Sequence, residues 1–151
     1  MSTDYFLFVN SDTLAARDLP LLAEIDGVAL DGGHLIVDGL VCTSCAAMSS
    51  EHREIMLEDY GEYGQEYTWY MTGTYDKKSC PNQLAERLAR CAAKLVSVRP
   101  TAPLALMVNA ESFYVLNSPS KLILSKACID DEGSIPRSFG RPYTEHRIVN
   151  Y

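Results

Sequence analysis

The sharpest chemical motif in the chain is Cys42-Thr43-Ser44-Cys45. Two thiols at this spacing can act as a redox couple or supply half of a zinc site. A structural zinc would need a second half. Cys80 and Cys91 are eleven positions apart, Cys128 stands alone, and His34, His52 and His146 are scattered, so the sequence offers none. A thioredoxin-like couple belongs between the end of a strand and the start of a helix. Leu40–Thr43 reads as a strand, but Ala46-Ala47-Met48-Ser49 postpones the next helix, and no βαβ pattern surrounds the motif. Two small apolar residues are the competing reading. A small thiol-dependent redox protein using Cys42 and Cys45 is retained as the alternative function.

Other catalytic patterns are missing. No Gly-x-Ser-x-Gly elbow, Walker loop or Gly-x-Gly-x-x-Gly fingerprint occurs, and Asp31-Gly32-Gly33 reads as a turn. Glu54, Glu58, Asp59, Glu62 and Glu66 lack the alternating spacing of a calcium loop and read as a solvated acidic face. His34 falls in an expected strand and His52 on a charged helix, where structural or solvent-facing roles suffice. No catalytic residue, metal ligand or cofactor is assigned, and the chain is read as a non-enzyme.

What remains is how charge and aromatic residues are distributed. The formal net charge is −7, with pI near 4.9. Phosphate backbones and anionic membranes would meet a repulsive field, so neither nucleic acid nor membrane is expected as a partner. Residues 1–76 hold 14 Asp+Glu against Arg17 and Arg53, a formal −12; residues 77–151 hold 6 acidic and 11 basic residues, a formal +5. The acidic half also carries Tyr60, Tyr63, Tyr67, Trp69 and Tyr70 among its carboxylates. Tyr67 and Trp69 read as core residues of a strand. Tyr60 and Tyr63, flanked by acids, read as surface anchors. Tyrosine supplies contact area at low entropic cost, and carboxylates speed encounter with a cationic surface. The expected partner-binding set is therefore Glu54, Glu58, Asp59, Tyr60, Glu62, Tyr63 and Glu66, facing a protein with a basic surface.

The elements that must position these residues come from a chain of 151 residues, 47% hydrophobic and 22% charged, the proportions of one globular domain. Tyr5–Val9 reads as a strand, followed by a helical stretch from about Thr13 to Ile25 that Pro20 divides. Asp31-Gly32-Gly33 and Asp38-Gly39 mark two hairpin turns. Ser49 and Ser50 cap a helix over Glu51–Tyr60, with Ile55, Met56, His52 and Tyr60 on its inner side. Glu66–Tyr75 alternates as a strand. Pro81–Val98 is the strongest helix, with Leu84, Leu88, Cys91, Leu95 and Val98 as one apolar stripe. Leu104–Asn109, Phe113–Leu116 and Leu122–Ser125 read as a meander, and the chain from about 127 as irregular or a loosely attached last strand. Hairpin connections dominate, so the expectation is an α+β fold: a single domain with a mainly antiparallel sheet and two or three helices packed on one face. The start has no basic leader, its apolar run Tyr5–Val9 is short, and the odd count of five cysteines suits reduced thiols; a cytoplasmic protein is expected.

Between Tyr5 and Ser125 the succession "DYFLFVNSD", "MLEDYGEYGQEYTWYMTGTYDK", "LAERLARCAAKLV" and "LALMVNAESFYVLNSPSKLILS" resembles the SitI-type immunity proteins of bacterial polymorphic toxin systems. The likeness rests on element order and on positions such as Phe8, Asp59, Gly61, Asp76, Asn109 and Leu124. Cys42, Cys45 and the stretch Ala127–Tyr151 stand outside it. The resemblance implies a non-enzymatic protein that occludes a cognate toxin made by the cell itself or delivered by kin.

Overall fold

The computed structural model describes residues 2–11, 13–37, 41–60, 67–76, 81–108 and 112–145. Among the described residues nine strands run in the order β2-β3-β4-β5-β1-β6-β7-β8-β9. They are β1 Ser2–Val9, β2 Val28–Asp31, β3 His34–Val37, β4 Val41–Ala47, β5 Trp69–Asp76, β6 Leu104–Val108, β7 Ser112–Asn117, β8 Leu122–Leu124 and β9 Thr144–Glu145. Every neighbouring pair is antiparallel except β8 and β9, which are parallel. The helices are α1 Leu19–Leu22, α2 Ser50–Tyr60, α3 Pro81–Val98 and α4 Ser134–Ser138. The α+β class with a mainly antiparallel sheet is as expected, but the helices do not share one face. Helices α1, α3 and α4 pack on one side and α2 on the other, because β1 is apolar on both its faces. Helix α3 has the bounds read from its punctuation by Pro81 and Pro100.

Strand β1 lies between β5 and β6 and is longer than its apolar run. Ser2-Thr3-Asp4 joins the ladder because Asp76, Tyr75 and Thr74 stand opposite. Within it Leu7 and Val9 face one core while Phe8 faces another, the period of two expected of a strand buried on both sides. Tyr5 pairs across the sheet with Gly73 and is fully buried. Any Cβ at position 73 would overlap the Tyr5 ring and hydroxyl, so glycine is required there by the approach of the ring. In β7, Leu106 pairs with Val115 while Met107 pairs with Phe113, leaving Tyr114 as the extra residue of a bulge. The bulge puts Tyr114 and Val115 both against the larger core and returns Leu116 to the opposite one.

The larger core lies between the sheet and α1, α3 and α4. Helix α3 buries Leu88, Cys91, Ala92, Leu95 and Val96, and α4 adds Ile135 and its following Phe139. Val98, expected in the same stripe, is exposed at the end of the helix. On the opposite face α2 contributes Met56 to a smaller cluster with Phe8, Tyr67, Met107 and Phe113. The divided helix after β1 is a single π turn, Leu14–Asp18, running directly into α1, with Pro20 in the first turn of α1 where a missing N–H costs least.

The C-terminal stretch carries more structure than its glycines and prolines suggested. Asp130 accepts hydrogen bonds from Ser134 N (3.1 Å), Ile135 N (3.0 Å) and the Ser134 hydroxyl, capping α4 just after Gly133 takes a positive φ. The Ser134 hydroxyl lowers the Asp130 pKa to about 2, helped by the two amides. Arg141 then donates to Asn117 Oδ1 and Ser118 O, both at 2.9 Å, and to Pro100 O, tying β9 to the end of the sheet.

Candidate functional site

The seven residues expected to meet a partner centre on α2 and the segment after it. Ser49 caps this helix, its hydroxyl accepting from His52 N at 3.1 Å. Glu54 and Glu58 are exposed, with Glu51 exposed beside them. Asp59 and Tyr60 close the backbone of α2, and their side chains lie outside the described residues, as do Glu62, Tyr63 and Glu66 altogether.

One inner residue was misread. Ile55 was expected inside, yet it is 46% exposed, and Leu57 is 47% exposed. Met56 is buried, and His52 sits edge-on to Tyr70 (5.2 Å, 78°) and to Phe8 (6.3 Å, 81°). His52 and Met56 therefore dock α2 on the sheet. At 3.6 residues per turn, Leu57, Glu54, Glu58, Glu51 and Ile55 follow one another around the outward arc. The result is an acidic stripe with an apolar residue on each flank. The apolar flanks are signalled in the sequence only once the docking side of the helix is known. Of the other aromatics, Tyr67 is buried, and burial pushes its hydroxyl pKa far upward. Trp69 is half-buried against the larger core.

The Cys45 thiol has a different environment from the one a nucleophile needs, and the Cys42 side chain lies outside the described residues. Cys42 and Cys45 both lie within β4, away from any helix start. Burial pushes the Cys45 thiol up to about 11, whereas reactive cysteines have lowered values. Cys91 and Cys128 are buried and pushed up to about 12 by the same desolvation. Among the described residues, no three His, Cys, Asp or Glu side chains come together to hold a metal ion.

Sequence reading missed a buried polar network. Asp18, 1% exposed at the end of the π turn, accepts from Arg99 Nε (3.2 Å), from Thr13 Oγ1 (3.4 Å) and from Ser11 Oγ. Arg99 also donates to Thr13 Oγ1. Burial by itself would raise the Asp18 pKa; the Ser11 and Arg99 hydrogen bonds and the Arg99 charge outweigh it and hold the carboxyl below its ordinary value. The acid and base are 81 residues apart in sequence. The network fastens the end of α3 to the turn after β1.

No protein-family model, curated protein or solved structure matches this chain. Among the described residues no helix is long and apolar enough to cross a membrane.

Proposed function

We propose that the chain is a non-enzymatic immunity protein of the SitI type, which binds a cognate bacterial toxin and blocks a basic surface on it. The observation that carries this reading is the outward face of α2, where Glu51, Glu54 and Glu58 stand between exposed Ile55 and Leu57. An amphipathic helix ordinarily spends such aliphatic side chains on its own core. Left outside beside three carboxylates, they suit a partner surface that is basic with an apolar centre. The carboxylates steer encounter, and the aliphatic groups contribute area once water is excluded. Laying a helix face into a groove is a common recognition mode. A stable complex would bury about 1,200–2,000 Å² in total, so α2 would act together with neighbouring surface. The −12 balance of residues 1–76 supports the same polarity of partner.

The test is co-expression with the C-terminal domain of a secreted toxin encoded next to this chain. Growth rescue is expected from the native protein. Combined Glu54→Lys and Glu58→Lys should abolish rescue and slow association at least tenfold, mostly through the on-rate. Full rescue by that variant, with unchanged association, would refute α2 as the contact. Failure of the native chain to rescue against any adjacent toxin would refute the function.

A further inference from the structure

Across the sheet from α2, an open cleft of about 580 Å³ lies between α3, the turn after α1 and the end of α4. Its wall carries Arg87, Arg90 and Lys94. They recur at i, i+3 and i+7 and so share one helix face, spread along about 10 Å of helix axis at 1.5 Å per residue. Each has a carboxylate partner: Asp26 for Arg87 at 3.9 Å, Glu86 for Arg90 at 3.1 Å, and Glu24 for Lys94 at 3.1 Å.

These pairs are lopsided. The side chains of Arg87, Arg90 and Lys94 are 19, 29 and 35% exposed, against 98, 46 and 62% for Asp26, Glu86 and Glu24. The cations are sunk in the wall and the carboxylates stand on the rim. Solvated pairs of this kind contribute little to stability, so a ligand can displace the acids at small cost. The protein's own carboxylates are tethered within reach, however. A ligand with a single carboxylate would merely replace what is already there. Displacement needs a group of higher charge density, and Arg forks match phosphate oxygens in pairs. The hydroxyls of Ser97 and Ser138 donate to Lys94 O (2.7 Å) and Ile135 O (2.6 Å) in their own helices, which leaves recognition to the three cations. Ile25 is the apolar contribution to the lining, so little in the cleft favours a large hydrophobic body.

We infer that this cleft is a binding site for a small polyanion bearing two or more phosphate groups, held by Arg87, Arg90 and Lys94. It is independent of the α2 face, and either can fail without the other.

The experiment is calorimetric titration of inorganic tripolyphosphate into the full chain. One saturable site is expected. Lys94→Gln should weaken it about tenfold, and so should Arg90→Gln. Because Arg90 also bonds Ser134 Oγ at 3.1 Å, the Lys94 variant supplies a readout that leaves the α4 contact in place. Combined Asp26→Asn and Glu86→Gln, which removes two competing acids, should tighten binding about tenfold. Ile55→Ala with Leu57→Ala should leave it unchanged. Absence of saturable binding, equal affinity across the charge variants, or weaker binding on removing the rim acids would overturn the inference. So would tighter binding of a polyglutamate peptide than of tripolyphosphate, which would make the cleft a protein-docking surface.

Discussion

Helices α2 and α3 lie on opposite faces of one sheet and spend their apolar residues in opposite ways. In α3 the stripe Leu88, Cys91, Leu95 is buried, with Ala92 and Ala93 letting the helix come close to the strands. In α2 only Met56 is buried among the aliphatic residues, while Ile55 and Leu57 face outward. One helix holds the fold together. Among the described residues the other rests on it through Met56 and the edge-on His52, and leaves Ile55 and Leu57 facing outward. Apolar content therefore does not measure a helix's contribution to stability; the side on which it sits does.

That contrast can be broken by substitution. The largest loss is expected at α3: Leu95→Ala removes a buried side chain and leaves a cavity, costing about 2–5 kcal/mol in urea unfolding. Gly73→Ala should follow at about 1–3 kcal/mol, since the new methyl group must push the Tyr5 ring out of its packing. Asp18→Asn should cost about 1–3 kcal/mol by weakening the network that anchors the end of α3. At the other extreme, Ile55→Ala with Leu57→Ala should change stability by no more than about 0.5 kcal/mol per site; under the proposed function the same pair should weaken binding of the cognate toxin at least tenfold. A large stability loss from that pair would place α2 in the same class as α3.

Acid titration sharpens the comparison further. The folded pKa values of Asp18 and Asp130 are both depressed, Asp130 to about 2. Their contribution is present in full above the unfolded carboxylate value of about 3.9 and is lost as pH falls through the folded values. Stability should therefore decline between about pH 4 and pH 2, and Asp18→Asn should flatten that decline.

Much of the fold was legible because local chemistry marked it. Pro81 and Arg99-Pro100 bound α3, and Gly32 and Gly33 take the positive φ that the β2–β3 turn demands. Strand β1 was read short because Ser2-Thr3-Asp4 is polar; it is extended by pairing with β5, a long-range term. Ile55 was misplaced because a short helix with apolar residues at 55, 56 and 57 does not declare which of them meets the sheet. Docking decides that, through Phe8 and Tyr70 on strands distant in sequence. Asp18 and Arg99 were invisible for the same reason, since nothing in either neighbourhood points to the other. The rim-and-wall arrangement of the cleft likewise needs three separate elements to be brought together.

Strand β4 divides its hydrogen bonds between two neighbours. Val41, Cys42 and Thr43 pair with β3, and Ser44 to Ala47 pair with β5. The β2–β3 hairpin is thus joined to the rest of the ladder by three rungs, and those rungs can open without disturbing the pairing of β1 with β5. Val28, Leu35 and Val37 hold it down by packing into the larger core. Under native conditions the hairpin amides should exchange with solvent hydrogen through local opening, at a lower free energy than amides of β1 and β6, which require global unfolding. The chain then has an exchange boundary running through the middle of a single strand.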